Sequence, residues 1–318
     1  MSTGRIINKE TGEYQIVEYY TKEEKAQRKK WFDDKITREK HYTQPAESRF
    51  FRTFINKFNK IDDLDSQSAT RLMYLATYMS YHDNFLKYDN SNEYMNKKDI
   101  IKVMGLAERA SRNFFNEMIS KGYLIEENGN FKITDKLFTR GSVVNDQNLE
   151  NDRFTKIYIQ ALRTMYKSVN PKQHKFLGYV FQLLPFINIH HNIICTNPFE
   201  PNEKYIKAVN IIQLVKMLNM SPDSTNHFRE MIEKVVFNFD NTQQHFLCYV
   251  LGAEDKSKNQ GIILVNPNIL YSGNDLNRQE VLKSFYVKDK EMQKIINQEV
   301  KEIAENRRKR KQARLNSK

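Results

Sequence analysis

"GLAERASRNFFNEMISKGYLIEENGNFKIT", residues 105 to 134, reads as a turn, an amphipathic helix, a short strand, an Asn-Gly turn and a returning strand. Gly105 supplies the positive-φ residue that a tight turn between two helices needs. On a wheel of 100° per residue, Ala107, Ala110, Phe114 and Met118 share one face of the helix. Arg109, Arg112, Asn113, Asn116 and Ser120 fall on the opposite one. Asn128-Gly129 between two apolar runs is a strong short-range signal for a two-residue hairpin. Upstream, "NKKDIIKVM" reads as a short helix capped by Asn96, and "SATRLMYLATYMSYH" as a long one with Leu72, Leu75, Ala76 and Met79 at helical spacing.

The surrounding 318 residues are enough for two ordinary domains without a metal or disulfide staple. Cys195 and Cys248 lack any CxxC spacing, which suits a reducing cytoplasm. The first residues carry no apolar run of signal-peptide length, and no window has the length of apolar sequence a membrane helix needs. A cytoplasmic protein is therefore expected. The net charge is +12, and residues 306 to 318 hold seven Lys or Arg and no acid, over half of that charge. Residues 22 to 40 hold eight basic and five acidic side chains. A polyanionic partner is implied.

A search for internal repeats organises the chain. At an offset of 104, "RFFRTFINKF" (49 to 58) lies over "RFTKIYIQAL" (153 to 162), and further on Leu72 meets Phe176 and Met79 meets Leu183. At 114, Ile100 to Met118 lies over Leu214 to Ile232, pairing Phe114 with Phe228 and Met118 with Ile232. At 132, "KITDKLFTRG" lies over "LVNPNILYSG". The growing offsets place about ten extra residues around "HHNIICTNPFEPNEKY" and about eighteen in the second hairpin region, both on loops.

Each copy thus reads as an extended lead-in, a long helix, a short helix, a turn, an amphipathic helix and a hairpin, the pattern of a winged helix-turn-helix. The expected fold is mainly α with short β-hairpin wings: two tandem winged helix-turn-helix domains plus a C-terminal helix. The expected organisation is an N-terminal hairpin and basic helical segment at 1–48, domain 1 at 49–141, a linker at 142–152, domain 2 at 153–273, and a helix with a basic tail at 274–318. Residues 276 to 305 carry Val281, Leu282, Phe285, Met292, Ile295, Ile296, Val300 and Ile303 as one apolar stripe. The run from Arg307 to Arg314 has almost nothing apolar to bury and should be mobile until it meets phosphate.

Arg and Asn match guanine and adenine edges in the major groove, so the helix after Gly105 is the expected DNA reader. Its contact residues are Arg109, Ser111, Arg112, Asn113, Asn116 and Lys121. In copy two Asp223, Asn226, His227 and Glu230 replace Arg109, Arg112, Asn113 and Asn116, and residues 219 to 235 sum to −1 where 105 to 122 sum to +1. Copy two is therefore the weaker reader. Lys256 and Lys258 in its long wing, and Arg307, Arg308, Lys309, Arg310 and Lys311 in the tail, are expected on the DNA backbone.

The features from "DIIKVMGLAERASRNFFNEMISKGYLIEENGNFKITDKLFTRG", with "ILVNPNILYSG" closing copy two, resemble the winged-helix domains of RepL-type plasmid replication proteins and related phage proteins of low-GC Gram-positive hosts. Copy one departs from that pattern with Thr134-Asp135 where copy two has an Asn-Pro step. The resemblance implies a sequence-specific double-stranded DNA-binding protein of a phage or plasmid, acting as replication initiator or transcription regulator.

No phosphate loop or HExxH is present, and adjacent His190 and His191 would face opposite sides of a strand, so neither an enzyme, a metal nor a cofactor is expected. Trp31, Phe50, Phe51, Phe54 and Phe58 read as core before they read as base-stacking groups. A second copy of the chain and the host's replication or transcription machinery stay open as partners, with no membrane. The alternative is an assembly factor that uses its helices to bind proteins.

Overall fold

The computed structural model describes residues 2–7, 14–19, 21–23, 25–27, 29, 49–54, 64–81, 83–89, 91, 93–141, 154–252, 254–255, 257–273 and 275–316. Trp31, Phe58 and Lys256 lie outside them. Among the described residues helix makes up 51% and strand 20%, with the strands spread over several small antiparallel sheets. That corrects the expected class: this is not a mainly helical chain of two winged helices in series. The strands Ser2–Ile7 (β1) and Tyr14–Tyr19 (β2) form a hairpin. Copy one then runs through Phe50–Phe54 (β3), Ser66–Leu75 (α1), Lys97–Val103 (α2), Glu108–Ser120 (α3), Leu124–Glu127 (β4), Asn130–Ile133 (β5) and Phe138–Thr139 (β6). Copy two runs through Phe154–Tyr158 (β7), Ile159–Ser168 (α4), His174–Gln182 (α5), Ile211–Met217 (α6), Ser224–Lys234 (α7), Val236–Phe239 (β8), Thr242–His245 (β9), Leu247–Val250 (β10), Ile262–Val265 (β11) and Leu270–Tyr271 (β12), followed by Asp275–Asn316 (α8).

The overturning element is a four-stranded sheet in the order β12-β7-β3-β6, two strands from each copy. At its centre Arg52 of β3 lies opposite Lys156 of β7, residues that correspond at the offset of 104. The outer strands obey the same symmetry, since Thr53 faces Phe138 as Ile157 faces Leu270. Arg52 donates to the Gly141 carbonyl and Lys156 to that of Gly273, the same bond made twice. The two copies therefore meet about a pseudo-two-fold axis through this sheet. Phe51, Thr53, Thr155 and Ile157 point inward and are buried, and one apolar cluster continues through both copies. A short extended lead-in in each copy was legible; its pairing across 104 residues was not.

Bonds within each copy repeat as well. Asn84 and Asn192 both take a positive φ and donate their buried side-chain amides to the carbonyls of Phe138 and Leu270. Asn96 caps α2 and Asn210 caps α6, each in a reciprocal box with the side chain three residues on, Asp99 and Gln213. Gly105 at φ 63 is matched by Asn219 at φ 53 in the turn that follows. These pairs keep the offset of 114 but place Asn84 and Asn192 at 108, as do the one-turn 3-10 helices Ala76–Tyr78 and Leu184–Phe186. Leu72/Phe176 and Met79/Leu183 were thus matched one helical turn out, because an apolar pattern of period 3.6 fits nearly as well when slipped by four residues.

α1 and α5 cross on the axis with their backbones in contact. Thr70 Oγ1 donates to the His174 carbonyl at 2.7 Å. At the symmetry-related point stands Gly178, where an added Cβ would lie 1.7 Å from the Ser66 oxygen.

In copy two α7 runs into an additional hairpin, β8–β9, turned by Asp240 and Asn241, both at positive φ. The wing-like pair β10–β11 comes after it. The extra residues of copy two are therefore split between a new hairpin and a longer loop. The C-terminal helix α8 packs on β10 and β9 through the buried Phe285, Asp289 and Met292. His245 Nδ1 and Asp289 Oδ1, both buried, meet at 2.6 Å across that contact. α8 continues to Asn316: Ala, Glu, Gln, Lys and Arg, all strong helix formers, carry it on without a core.

Candidate nucleic-acid interface

α3 rests on copy one through Ser111, Phe114, Phe115 and Met118, all buried. Ser68 Oγ of α1 donates to Glu117 at 2.9 Å and fixes the helix about its own axis. The opposite face is exposed along Arg109, Arg112, Asn113, Asn116 and Ser120. Arg109, Asn113 and Asn116 make no side-chain hydrogen bond or ion pair among the described residues. Arg112 is paired with Glu108 one turn earlier, and Lys121 with Glu117 at 2.7 Å. Both pairs are at the surface, where such contacts are worth little and exchange readily for a phosphate.

Ser111 is a correction. It is fully buried, its hydroxyl 3.5 Å from the Leu106 carbonyl. Position 111 lies four residues after Ala107 and three before Phe114, in the apolar stripe, and a small side chain there is drawn inward.

Three cations missed in the sequence stand beside this face: Lys97, Lys98 and Lys102 of α2 are exposed. The signal was "NKKDIIK", in which Ile100 turns inward and the lysines outward. Lys97 Nζ sits 4.8 Å from the centre of the Phe115 ring. The β4–β5 tip, by contrast, exposes Glu126 and Glu127, and its Lys132 is taken up by Glu127. That tip repels phosphate.

Copy two presents Asp223, Asn226, His227 and Glu230 to solvent. Glu230 is bonded to Lys234 at 2.9 Å, which lowers its pKa. Lys258 is the second correction. It is 8% exposed, with Nζ 3.3 Å from Glu233 and 2.5 Å from Glu299. The long loop folds back over α7 and α8, so this cation is neutralised inside the protein and does not face outward. Arg307, Arg308, Lys309 and Arg310 are exposed on α8, and Lys311 continues the helix. At 100° per residue the consecutive cations Arg307 to Arg310 turn through about 300° and form no single face.

His190 and His191 belong to a turn capped by Asn188, whose Oδ1 accepts from both backbone amides at 2.9 Å. Among the described residues no group of three or more His, Cys, Asp or Glu could hold a metal ion. Cys195 and Cys248 are buried and free, and burial pushes both thiols above their usual pKa. No described helix is long and apolar enough to cross a membrane.

No family model, curated protein or solved structure matches this chain. The RepL-type resemblance thus stands on the quoted residues alone.

Proposed function

We propose that the chain is a sequence-specific double-stranded DNA-binding protein acting in the cytoplasm without catalysis. α3 enters the major groove, Lys97 and Lys98 of α2 flank it on the phosphates, and the cationic end of α8 adds backbone contacts. The observation that carries this reading is the outward face of α3: Arg109, Asn113 and Asn116, forked donors and acceptors suited to base edges, stand exposed without protein partners on a helix fixed from behind. The resemblance to phage and plasmid proteins supports a role in replication initiation or transcription regulation, with the corresponding host machinery as partner.

The deciding experiment selects binding duplexes from a random library and titrates variants against the selected site. Arg109→Ala and Arg112→Ala should each lower affinity by about 1–3 kcal/mol if the side chain makes a bidentate base contact. Asp223→Ala in copy two should change it little. Equal losses at all three positions would refute α3 as the reader.

One observation favours a second reading. Val300 is 60% and Ile303 51% exposed on α8, one turn apart, which fits a helix that meets another protein or a second copy. Absence of any selected duplex, together with concentration-dependent self-association abolished by Val300→Glu, would favour it.

A further inference from the structure

A cavity of about 840 Å³ opens where copy one meets copy two. Its size lies in the range of small-molecule sites. Tyr74 of α1 and Tyr166 of α4 stack with ring centres 3.8 Å apart and planes 6° apart. The His174 ring continues the stack at 4.2 Å from Tyr166. All three border the cavity from beneath its surface, each no more than 4% exposed, together with the exposed Lys102 and Lys167.

Two features of this wall ask for a ligand. The first is His174, 1% exposed, with neither ring nitrogen in a hydrogen bond of acceptable geometry. Burial, then the nearby Arg71 charge, lower its pKa to about 4, against a smaller opposing effect of the Tyr166 backbone. It is therefore neutral at pH 7, with one donor and one acceptor to satisfy. Leaving them unmade costs about 1–3 kcal/mol per group. The second is charge. Lys102 and Lys167 are exposed and have no carboxylate partner among the described residues. Asp99, the acid in the wall, is already engaged by the Asn96 backbone amide and the Tyr88 hydroxyl.

We propose that this cavity binds a free mononucleotide, the base entering as the buried tyrosine stack opens and turning its donor and acceptor edge toward His174, with the phosphate on the Lys102 and Lys167 ammonium groups. An aromatic ring answers the stacked wall, adjacent donor and acceptor atoms answer a neutral imidazole, and two unpaired ammonium groups answer a phosphate. The site is tied to α3. The Tyr74 hydroxyl donates to the Val103 carbonyl at 3.0 Å and the Tyr166 hydroxyl to that of Met104 at 3.2 Å, one tyrosine from each copy holding the end of α2. Gly105, which opens the turn into α3, lines the same cavity. An occupant that shifts the tyrosines shifts α3, so occupancy changes DNA affinity. That coupling rests on the reading of α3 as a DNA-binding helix; the binding itself does not.

The test titrates the full chain, without DNA, with AMP, GMP, CMP and UMP by calorimetry, and with inorganic phosphate alone, while the His174 ring resonances are followed by NMR. At least one mononucleotide should bind and shift those resonances. Lys102→Gln combined with Lys167→Gln should weaken it at least about tenfold with no change in melting temperature. The idea is overturned if no mononucleotide binds below about 1 mM, if the double variant binds unchanged, or if phosphate alone binds as tightly. Displacement by a single-stranded oligonucleotide as readily as by the mononucleotide would assign the cavity to nucleic acid and overturn it also. DNA titrations with and without the bound mononucleotide then test the coupling separately.

Discussion

Gly178→Ala is the sharpest probe of how the two copies meet. In an isolated helix this change stabilises, by about 0.5–1 kcal/mol, because alanine loses less backbone entropy. In the protein the new Cβ would lie 1.7 Å from the Ser66 carbonyl oxygen, 2.4 Å from its carbon and 2.7 Å from its Cα. All three are backbone atoms of α1, so no side chain can swing aside. Relief requires the helices to part by more than an ångström, which breaks the bond that Thr70 makes to His174 and loosens the core beneath. Overpacking of a well-filled core costs about 1–3 kcal/mol, and a backbone obstacle belongs at the upper end. Subtracting the propensity gain leaves a net loss of about 2 kcal/mol, a fall in melting temperature of about 3 °C for 318 residues with an unfolding entropy of about 2.1 cal/mol/K per residue. Urea and thermal unfolding followed by circular dichroism measure it. An unchanged or raised midpoint would refute the close crossing of α1 and α5, and with it the pseudo-two-fold packing.

Three more outcomes are expected. His174 has a folded pKa near 4 against about 6.5 unfolded, so between these values the unfolded chain holds the extra proton and stability falls as pH drops, by about 2 kcal/mol from pH 7 to pH 5; His174→Phe should flatten the pH dependence of urea stability by that amount, and parallel profiles would contradict it. Lys258→Ala takes the cation from the half-exposed Glu299 and leaves Glu233 with the Arg229 guanidinium and the Tyr249 hydroxyl, and should cost about 1 kcal/mol in differential scanning fluorimetry; DNA affinity should stay as it was, and a selective loss of affinity would restore Lys258 to the interface. Deleting residues 306–318 should weaken binding to specific and random duplexes alike and reduce the salt slope by about 0.9 for every phosphate that the shortened chain no longer neutralises; a deletion that abolishes discrimination but keeps its slope would show that this segment reads bases or joins subunits.

What could be read in the sequence was what neighbouring residues decide. The Asn96 cap, the positive φ at Gly105, the hairpin at Asn128 and the outward Arg109, Asn113 and Asn116 all follow from local rules. What could not be read depended on partners far away. "FFRTF" and "FTKIY" announce strands, but nothing in either names the other as its neighbour. Lys258 is hydrophilic by type, and only the return of α8 brings Glu299 to cover it. The β8–β9 hairpin is a different failure, because its alternation "VFNF" and the Asp240-Asn241 turn were local signals, obscured by aligning the region to a shorter copy. In the site, the exposed helix face was legible and the α2 lysines were partly so. The cavity at the junction was not, since its walls come from α1, α2, α4 and the start of α5, which only the folded chain brings together.

The central sheet also sets a timetable for synthesis. Arg52 of β3 has to wait for Lys156, 104 residues later, before the middle of the sheet can close, and β12 must follow to complete the other edge. At about 5–20 residues per second that interval is about 5–20 s. Throughout it a nascent copy one carries an open strand edge bearing Phe50 and Phe51, a template that a neighbouring nascent chain on the same message could pair with through its own β7. The cell must therefore keep successive ribosomes or chaperones from letting two half-made chains complete each other, a hazard that two self-contained domains in series would not face.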